Sequence, residues 1–328
     1  MCMAMSFSTR DHYFGRNLDL DEVYDTRITV SPRNLPFRFR CGETSDRHPA
    51  MVGMATVVNG YPLYFEATSE RGLSAASLQF SDCCVYARKG TGRGTEVASF
   101  ELIPWLLCRC GTVEEVRNLM TRTTVTDETF GEGYPAAPLH WMVSDRTESV
   151  VIESTADGLQ VHDNHIGIMT NSPPFPHHVV NMVNHMGVSS KPPVNRFTGA
   201  VDLRPYCRGM GSIGLPGDMS SMSRFVRGAF ALHNSVCDES ETGSVGQFFH
   251  IMGTTSQPRG CNDLGCRRYE LTQYTSCCNT DTGVYYYTTY GNRQISAVDM
   301  HRTDLEGRAP ICYRPVTDQQ VLMQNRAG

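Results

Sequence analysis

A cysteine stands at position 2, directly after the initiator methionine. Because methionine is removed efficiently before small residues, its removal would give Cys2 both a thiol and a free α-amine. Such an amine has a pKa of about 7.7 to 8.0, close enough to neutrality to accept the thiol proton directly or through one water. A nucleophile that is activated in this way needs no histidine. The sequence therefore predicts that Cys2 is a nucleophile, the alternative being an incidental second residue.

Two charged candidates lie in the segment FGRNLD, residues 14–19. A turn over residues 8–11 would pair this segment with the first strand and bring Arg16 and Asp19 near the N-terminus. An arginine about 4 Å from a thiol favours the thiolate by up to ~4 kcal/mol at an effective dielectric constant near 20, before solvent screening. Asp19 could hold the ammonium in place. The alternative is a surface ion pair of little energetic value.

The elements that must position these residues are mostly strands. Short β-rich runs separated by Gly, Pro, Asn or Asp favour antiparallel sheets over alternating βαβ units. Strands are predicted at 3–7, 12–16, 28–30, 50–58, 63–67, 73–78, 139–144, 149–154, 269–276, 284–290 and 294–298, with a turn at 279–283.

Three helices are predicted between the strand-rich blocks. One covers residues 97–108, and one opens at Thr112, where Thr112 and Glu115 form a capping box. The third follows Asp218 and places Phe225, Gly228, Ala229 and Leu232 on the side that would pack against a sheet.

The segment 173–217 is rich in Pro, Asn, His and Gly and shows little periodicity. It is unusually long for a structureless loop inside a compact domain, so it is predicted to be an assembly arm or a rim of the active site. No repeat or linker is visible, which predicts a single domain over 1–328.

Charge and hydropathy exclude several classes of partner. The net charge of −5 comes without long runs of one sign, which argues against nucleic acid and against a polybasic membrane patch. The N-terminus lacks the pattern of an export signal, and no apolar run approaches the roughly 18 to 20 residues of a membrane span. The chain is therefore predicted to be cytoplasmic.

Thirteen cysteines in a chain without an export signal are predicted to be reduced, small apolar residues. A metal site built from Cys261, Cys266, Cys277 and Cys278, with His250, is a competing interpretation, although adjacent cysteines in a strand point to opposite faces. A Cys–His protease that uses His140 or the pair His177-His178 is a second alternative, without a local signature to support it.

Several motifs, in this order and spacing, resemble the choloylglycine hydrolase family, which includes bile salt hydrolases and penicillin V acylases. They are Met-Cys at the start, FGRNLD at 14–19, TNSP at 170–173, GLPGDMSSMSRFVRGAF at 214–230 and the run at 274–301. The resemblance spans nearly the whole chain. It implies an N-terminal nucleophile (Ntn) hydrolase, an α+β fold with a four-layer αββα sandwich of two antiparallel sheets.

The resemblance also implies roles for single residues. Cys2 matches the family nucleophile, Arg16 the cation beside it and Asp19 the carboxylate near the amine. Asn171 matches the asparagine whose side-chain amide donates to the oxyanion, and Arg224 a second arginine facing the site. No metal or other cofactor is implied. The family assembles as a homotetramer, and segment 173–217 resembles its assembly region.

The implied substrates are glycine- or taurine-conjugated bile salts. Gln79 stands where bile salt hydrolases usually carry Asn and many penicillin V acylases carry Tyr, which leaves penicillin V or other N-acyl amides as alternative substrates. The backbone N–H at Gln79 could still complete the oxyanion hole. Leu18, Phe65 and the segment 129–138, with Phe130 and Tyr134, are candidate walls of an apolar pocket, although each could equally be core or loop packing. If the protein is not an enzyme, the alternative is a related protein that binds a ligand but has lost catalysis.

Overall fold

The computed structural model describes residues 1–22 and 24–325, so the predicted domain over 1–328 includes four positions outside the described residues. The strands are β1 Cys2–Ser8, β2 His12–Leu20, β3 Thr26–Ser31, β4 Phe37–Arg38, β5 Thr44–Ser45, β6 Met51–Val58, β7 Tyr61–Ser69, β8 Ser74–Gln79, β9 Thr95–Ala98, β10 Thr123–Thr126, β11 Leu139–Ser144, β12 Ser149–Thr155, β13 Gly158–Asp163, β14 Ile168–Met169, β15 Leu271–Asn279, β16 Val284–Thr289, β17 Asn292–Asp299 and β18 Ile311–Tyr313.

The α-helices are α1 Leu102–Arg109, α2 Val113–Met120, α3 Phe175–Asn181, α4 Ser221–Asn234 and α5 Glu241–Gly253. Short 3₁₀-helices cover Ser99–Glu101, Met182–His185, Met210–Ser212 and Met300–Arg302. In the described part of the chain, no helix combines the length and the apolar character that crossing a membrane requires.

Two large antiparallel sheets form the centre of the molecule. One has six strands in the order β14-β1-β2-β15-β16-β17, and the other has eight in the order β13-β12-β11-β8-β7-β6-β3-β18. The N-terminal strand pairs with β2 along its whole length, from Cys2 opposite Leu18 to Ser8 opposite His12. The hairpin that the sequence predicted is therefore present, and β15 completes the other side of β2.

Neighbouring residues of a strand contribute to different layers of the core. Ala76 faces the six-stranded sheet, in a cluster that also contains Phe225 of α4 and Phe248 of α5. Ala75 faces the opposite way and packs with Trp105 of α1. This alternation follows from the period of two in a strand. The layers are therefore α4 and α5, the six-stranded sheet, the eight-stranded sheet, and α1 with α2, which confirms the predicted αββα sandwich.

Gly15 in the FGRNLD segment is required by the close approach of β2 and β15. A Cβ atom at this position would overlap the main-chain carbonyl group of Ser276. Since the neighbouring backbone cannot move away without breaking the sheet, only glycine fits between Phe14 and Arg16.

Some predicted boundaries were wrong. The helix predicted over 97–108 starts at Leu102, because residues 95–98 form β9, which pairs in parallel with β10. Helix α2 begins as predicted, with the Thr112 hydroxyl accepting a hydrogen bond from the main-chain N–H of Glu115. Two helices were not predicted, α3 inside the 173–217 segment and α5.

Candidate active site

Cys2 lies at the beginning of β1 and is 2% exposed. Its main-chain N–H donates to Asn171 Oδ1 at 2.6 Å, and its Sγ lies 3.8 Å from the main-chain carbonyl oxygen of Asp19. Met1 precedes it, and the Met1 ammonium donates to the same Asp19 carbonyl at 3.0 Å and pairs with Glu270. The nitrogen that would become the free amine of Cys2 is therefore already held by a side chain.

Arg16 lies on β2 next to Cys2 and is 1% exposed. Its Nη1 donates to the main-chain carbonyls of Phe65, at 3.1 Å, and Ser77, while its Nε–H donates to the carbonyl of Asn17 at 3.4 Å. These carbonyls fix the plane of the guanidinium. Burial acts to lower the pKa of Arg16, but the acidic groups around it, Cys2, Tyr274 and Glu66, outweigh burial and raise it. Arg16 therefore stays charged beside Cys2.

Asp19 is fully buried, and its carboxylate accepts hydrogen bonds from Thr272 Oγ1 at 2.6 Å and Gln257 Nε2 at 3.0 Å. Burial raises the pKa of Asp19, whereas Arg224 and the N-terminal ammonium act to lower it. The atom of Asp19 that accepts from the ammonium is its main-chain carbonyl oxygen, which the sequence could not indicate.

Asn171 joins three parts of the site. Its Oδ1 accepts from the N–H of Cys2 and from Arg224 Nη2, the latter at 2.8 Å, and its Nδ2 donates to the main-chain carbonyl of Gln79 at 2.8 Å. Arg224 Nη1 also donates to the carbonyl oxygen of Cys2 at 2.5 Å. Arg224, which is fully buried on α4, therefore fixes both Cys2 and Asn171. Burial lowers the pKa of Arg224, opposed by Asp19 and Cys2.

Two residues whose role the sequence reasoning did not identify hold the backbone of Asn171. The Ser221 hydroxyl accepts from the N–H of Asn171 at 2.9 Å, and His178 Nε2 lies 2.8 Å from its carbonyl oxygen and donates to it. Ser221 lies in the first turn of α4 and His178 on α3. The motif around Arg224 included Ser221, but nothing in the sequence indicated its partner.

A cleft of about 400 Å³ opens beside Cys2 and Arg16. Its walls include all the residues predicted to line a pocket, namely Leu18, Phe65, Gln79, Phe130 and Tyr134. The structure thus brings these residues together with the thiol. The Gln79 side chain is exposed and donates to Ser81 Oγ at 2.8 Å.

Arg40 holds the far wall of the cleft in place. Its guanidinium lies 5.8 Å from the ring centre of Phe100 and 5.9 Å from that of Phe130, and its Nη2 donates to the Phe130 carbonyl at 2.6 Å. Phe130 in turn packs edge-to-face on Tyr134, with ring centres 5.9 Å apart. The segment carrying both aromatic residues is therefore anchored by a cation.

The model of the linear amide C–N hydrolases of the choloylglycine hydrolase family matches residues 2–313. The chain belongs to this family. The resemblance inferred from the motifs is thereby confirmed, as is the prediction of an enzyme that hydrolyses linear amides.

Relatives within the family match almost the full chain. A bile salt hydrolase/transferase of Lactiplantibacillus plantarum is 43% identical over 99% of this chain and 100% of its own length. A bile salt hydrolase/transferase of Clostridium perfringens is 34% identical over 96% of this chain and 97% of its own length.

Solved structures confirm the fold. A variant of the conjugated bile acid hydrolase of Clostridium perfringens superposes with a TM-score of 0.91 at 32% identity, covering 99% of this chain and 100% of the other. A penicillin V acylase of Agrobacterium tumefaciens superposes with a TM-score of 0.74 at 17% identity, covering 94% of this chain and 90% of the other, which shows a shared fold alone.

The structure also places the residues of the two alternative sites considered from the sequence, the metal site and the Cys–His pair. Cys277 and Cys278 are buried whereas Cys261 and Cys266 are exposed, and within residues 1–22 and 24–325 no group of three or more His, Cys, Asp or Glu side chains is arranged to hold a metal. His140 Nδ1 lies 3.0 Å from Glu153 Oε1, and His178 donates to the main-chain carbonyl of Asn171, so both rings bond to groups other than the thiol.

Proposed function

We propose that this enzyme hydrolyses the amide bond of glycine- or taurine-conjugated bile salts through an acyl-enzyme on Cys2. The observation that carries the proposal is the meeting, at one point, of the buried Cys2 thiol, the amide of Asn171 and an apolar cleft of about 400 Å³. A steroid is rigid and apolar, and such a cleft offers it many contacts with few polar groups. Two relatives over nearly the full chain carry bile salt hydrolysis in their names.

The reaction follows from the atoms around Cys2. Removal of Met1 would turn the main-chain nitrogen of Cys2 into an amine that Asn171 Oδ1 already contacts at 2.6 Å. This amine accepts the thiol proton, while Arg16 stabilises the thiolate that attacks the amide carbonyl. The resulting ammonium protonates the departing amine, and the free amine then activates water for deacylation.

The negative oxygen of the tetrahedral intermediate needs donors close to Cys2. An asparagine side-chain amide carries two N–H groups, and one of them on Asn171 donates to Gln79. The second remains for the oxyanion, and the backbone N–H of Gln79 is the other proposed donor. The role of Gln79 in the oxyanion hole would then depend on its backbone N–H and not on the identity of its side chain.

The roles of the aromatic side chains concern the acyl half of the substrate. Phe65 on one wall, and Phe130 with Tyr134 on the other, would contact the steroid rings. Because the second wall is held by Arg40, the cleft would be preformed, which reduces the loss of side-chain entropy on binding.

The test is to compare turnover of glycocholate, taurocholate and penicillin V by the purified protein and by a Cys2→Ser variant. We expect both bile salts to be preferred to penicillin V, and Cys2→Ser to keep its fold and lose activity, because a hydroxyl ionises less readily than a thiol. Intact mass must show that Met1 is absent from the active protein. Turnover of penicillin V at ten times the rate of glycocholate would instead favour an acylase, and full activity in protein retaining Met1 would contradict the mechanism.

The assembly and the compartment are part of the same proposal. A homotetramer that uses the 173–217 segment agrees with the many exposed apolar side chains of that segment. The cytoplasm is the proposed compartment. Light scattering and fractionation of the source cells would test the two statements separately.

A further inference from the structure

A carboxylate of the eight-stranded sheet is buried beside Arg16. Glu66 lies on β7 of the eight-stranded sheet and is 2% exposed. Its Oε1 accepts a hydrogen bond from Tyr285 Oη at 2.5 Å and its Oε2 one from Tyr274 Oη at 2.7 Å. Both tyrosines belong to the six-stranded sheet, so Glu66 extends across the space between the two sheets.

The cation closest to this carboxylate is Arg16. Its Nε lies 4.0 Å from Glu66 Oε2, the same oxygen that Tyr274 contacts. Because Arg16 is fixed by the carbonyls of Phe65 and Ser77, it cannot turn towards Glu66 without losing them. Its charge therefore acts on both the Cys2 thiol and the Glu66 carboxylate.

Besides Glu270, which pairs with the Met1 ammonium, the site contains two buried cations and two buried carboxylates. Arg224 is balanced by Asp19, and Arg16 by Glu66. Burial raises the pKa of Glu66, whereas Arg16 and the two tyrosine hydroxyls act to lower it. Hydrogen bonds donated to both oxygens favour the ionised form.

We propose that Glu66 is a positioning residue that sets how much of the positive charge of Arg16 is available to the Cys2 thiolate. An ionised Glu66 offsets part of that charge, so less of it acts on the sulfur of Cys2. This matters for the reaction because a thiolate of very low pKa is a weaker nucleophile, and the best attacking thiol has a pKa near the ambient pH. The proposal rests on Cys2 being the reactive thiol of the proposed function.

Other charged groups also face Cys2, so the test must isolate Glu66. They are Arg16 and Asp19 on β2, Arg224 on α4, Glu270 and the N-terminal amine, whereas Tyr274 on β15 is titratable but neutral, because burial raises its pKa. Glu66→Gln leaves all of them in place and keeps the size of the side chain. Both tyrosine contacts can persist, because a tyrosine hydroxyl can accept from an amide as well as donate to one. Glu66→Asp retains the charge.

The experiment is to measure the rate of alkylation of Cys2 by iodoacetamide as a function of pH, following the N-terminal peptide by mass spectrometry. In Glu66→Gln we expect the midpoint to fall by about half a pH unit or more, because a negative charge near the thiolate is removed. Glu66→Asp should stay closer to the parent. Glu101→Gln is the matched control, since Glu101 is another buried carboxylate, bound to the main-chain N–H groups of Arg40 and Ala98.

An unchanged or raised midpoint in Glu66→Gln would overturn the proposal, as would an equal shift in Glu101→Gln. If Glu66→Gln does not fold, Tyr285→Phe takes its place, because losing one donor leaves the carboxylate less ionised and should shift the midpoint in the same direction. Alkylation involves no substrate. A parent protein that fails to cleave bile salts would therefore contradict the proposed function and leave this test valid.

Discussion

At the scale of single residues, the contacts of the site converge on Asn171. Its side-chain oxygen accepts from Cys2 and from Arg224, and its amide nitrogen donates to Gln79. In the proposed mechanism, the same side chain would orient the future amine and supply a donor for the oxyanion. Two functions in one residue make it a sharper mutational target than the residues of the cleft wall.

Replacing Asn171 by Ala is expected to lower kcat by roughly 10²- to 10³-fold, the loss typical of one oxyanion donor. It also leaves buried donors on Cys2 and Arg224 unpaired, which costs about 1–3 kcal/mol of stability. Asn171→Asp separates these effects, because a carboxylate still accepts from both donors but has no N–H. Its second oxygen would face the Gln79 carbonyl to which the amide now donates, so we expect it to fold with lower stability than the parent and to be as slow as the alanine variant for glycocholate.

The exposed Asn184 offers a matched control. Asn184→Ala should retain kcat within about threefold, since surface substitutions are usually close to neutral. Parent-like turnover by Asn171→Asp would show that the oxyanion is stabilised without this amide.

The sequence indicated which residue types form the site but not which of their atoms act. Cys2, Arg16, Asn171 and Arg224 were recognised through motifs, and the structure places them within a few side-chain contacts of each other. The contact from Asp19 to the ammonium comes from its main-chain carbonyl. A motif specifies a side chain, so a role played by the backbone is not visible in it.

At the scale of elements, α3 shows why a helix can escape detection. Only Phe175 and His178 of its seven residues are buried, and prolines occupy its first turn and the position before it. Too few apolar positions repeat for a helical period to appear. Yet this helix holds the carbonyl of Asn171 through His178, whose Nδ1 has no partner among the described residues.

His178 makes the stability of the fold depend on pH. Burial, only partly offset by its hydrogen bond to Asn171, lowers the pKa of His178 to about 4 from its ordinary value of 6.5. Between these values the unfolded chain binds a proton that the folded chain does not, so stability is lost as the pH falls from about 6.5 to about 4. The contribution of this residue amounts to about 3 kcal/mol at most.

Glutamine reproduces the Nε2 donor of His178 and does not titrate. In His178→Gln the free energy of unfolding, measured with urea at pH 7 and pH 4.5, should fall by less than in the parent. His177→Gln, at the exposed neighbouring position, should behave like the parent. An equal loss in all three proteins would mean that His178 is not protonated on unfolding. Part of the pH dependence of stability must persist in His178→Gln, because burial also lowers the pKa of His12 to about 4.

Helix α4 carries Arg224, and its distance from β1 is set by Gly228. A Cβ atom at Gly228 would lie 2.7 Å from the Sδ of Met3, the residue after Cys2. We expect Gly228→Ala to destabilise the protein by about 1–3 kcal/mol through overpacking and to reduce activity by moving β1. Gly246 on α5 has open space around its Cα, so Gly246→Ala should stabilise by about 0.5–1 kcal/mol. The stability of both variants is measured by thermal unfolding. A Gly228→Ala variant more stable than the parent would contradict the prediction and show that Met3 moves freely.

At the scale of the whole molecule, the site lies where the two sheets face each other, and this is the part that the sequence could not show directly. Leu18 of β2 pairs with Tyr274 of β15, more than 250 positions later in the chain. Alternation within each strand indicates which residues are buried, but it does not indicate which strands are neighbours. The four layers were predicted from the family resemblance, whereas the strand order came from the structure.

The 173–217 segment leaves apolar side chains exposed to a degree that a monomer rarely tolerates. Phe197 is 90% exposed and Tyr206 83%, with Met186 and Val194 both above 75%. Burial of these side chains between copies would contribute about 25 cal/mol for each Å² removed from water.

If the segment is an assembly arm, placing charges on it should separate the subunits without affecting the core. We therefore expect light scattering to give a multimer for the parent and a smaller species for Phe197→Asp combined with Tyr206→Asp. Val236→Asp is the control, because Val236 is also 90% exposed but lies after α4, outside the segment. It shows whether a charge at any exposed apolar residue would dissociate the subunits. A parent that elutes as a monomer, or a Val236→Asp variant that dissociates equally, would assign these side chains another role.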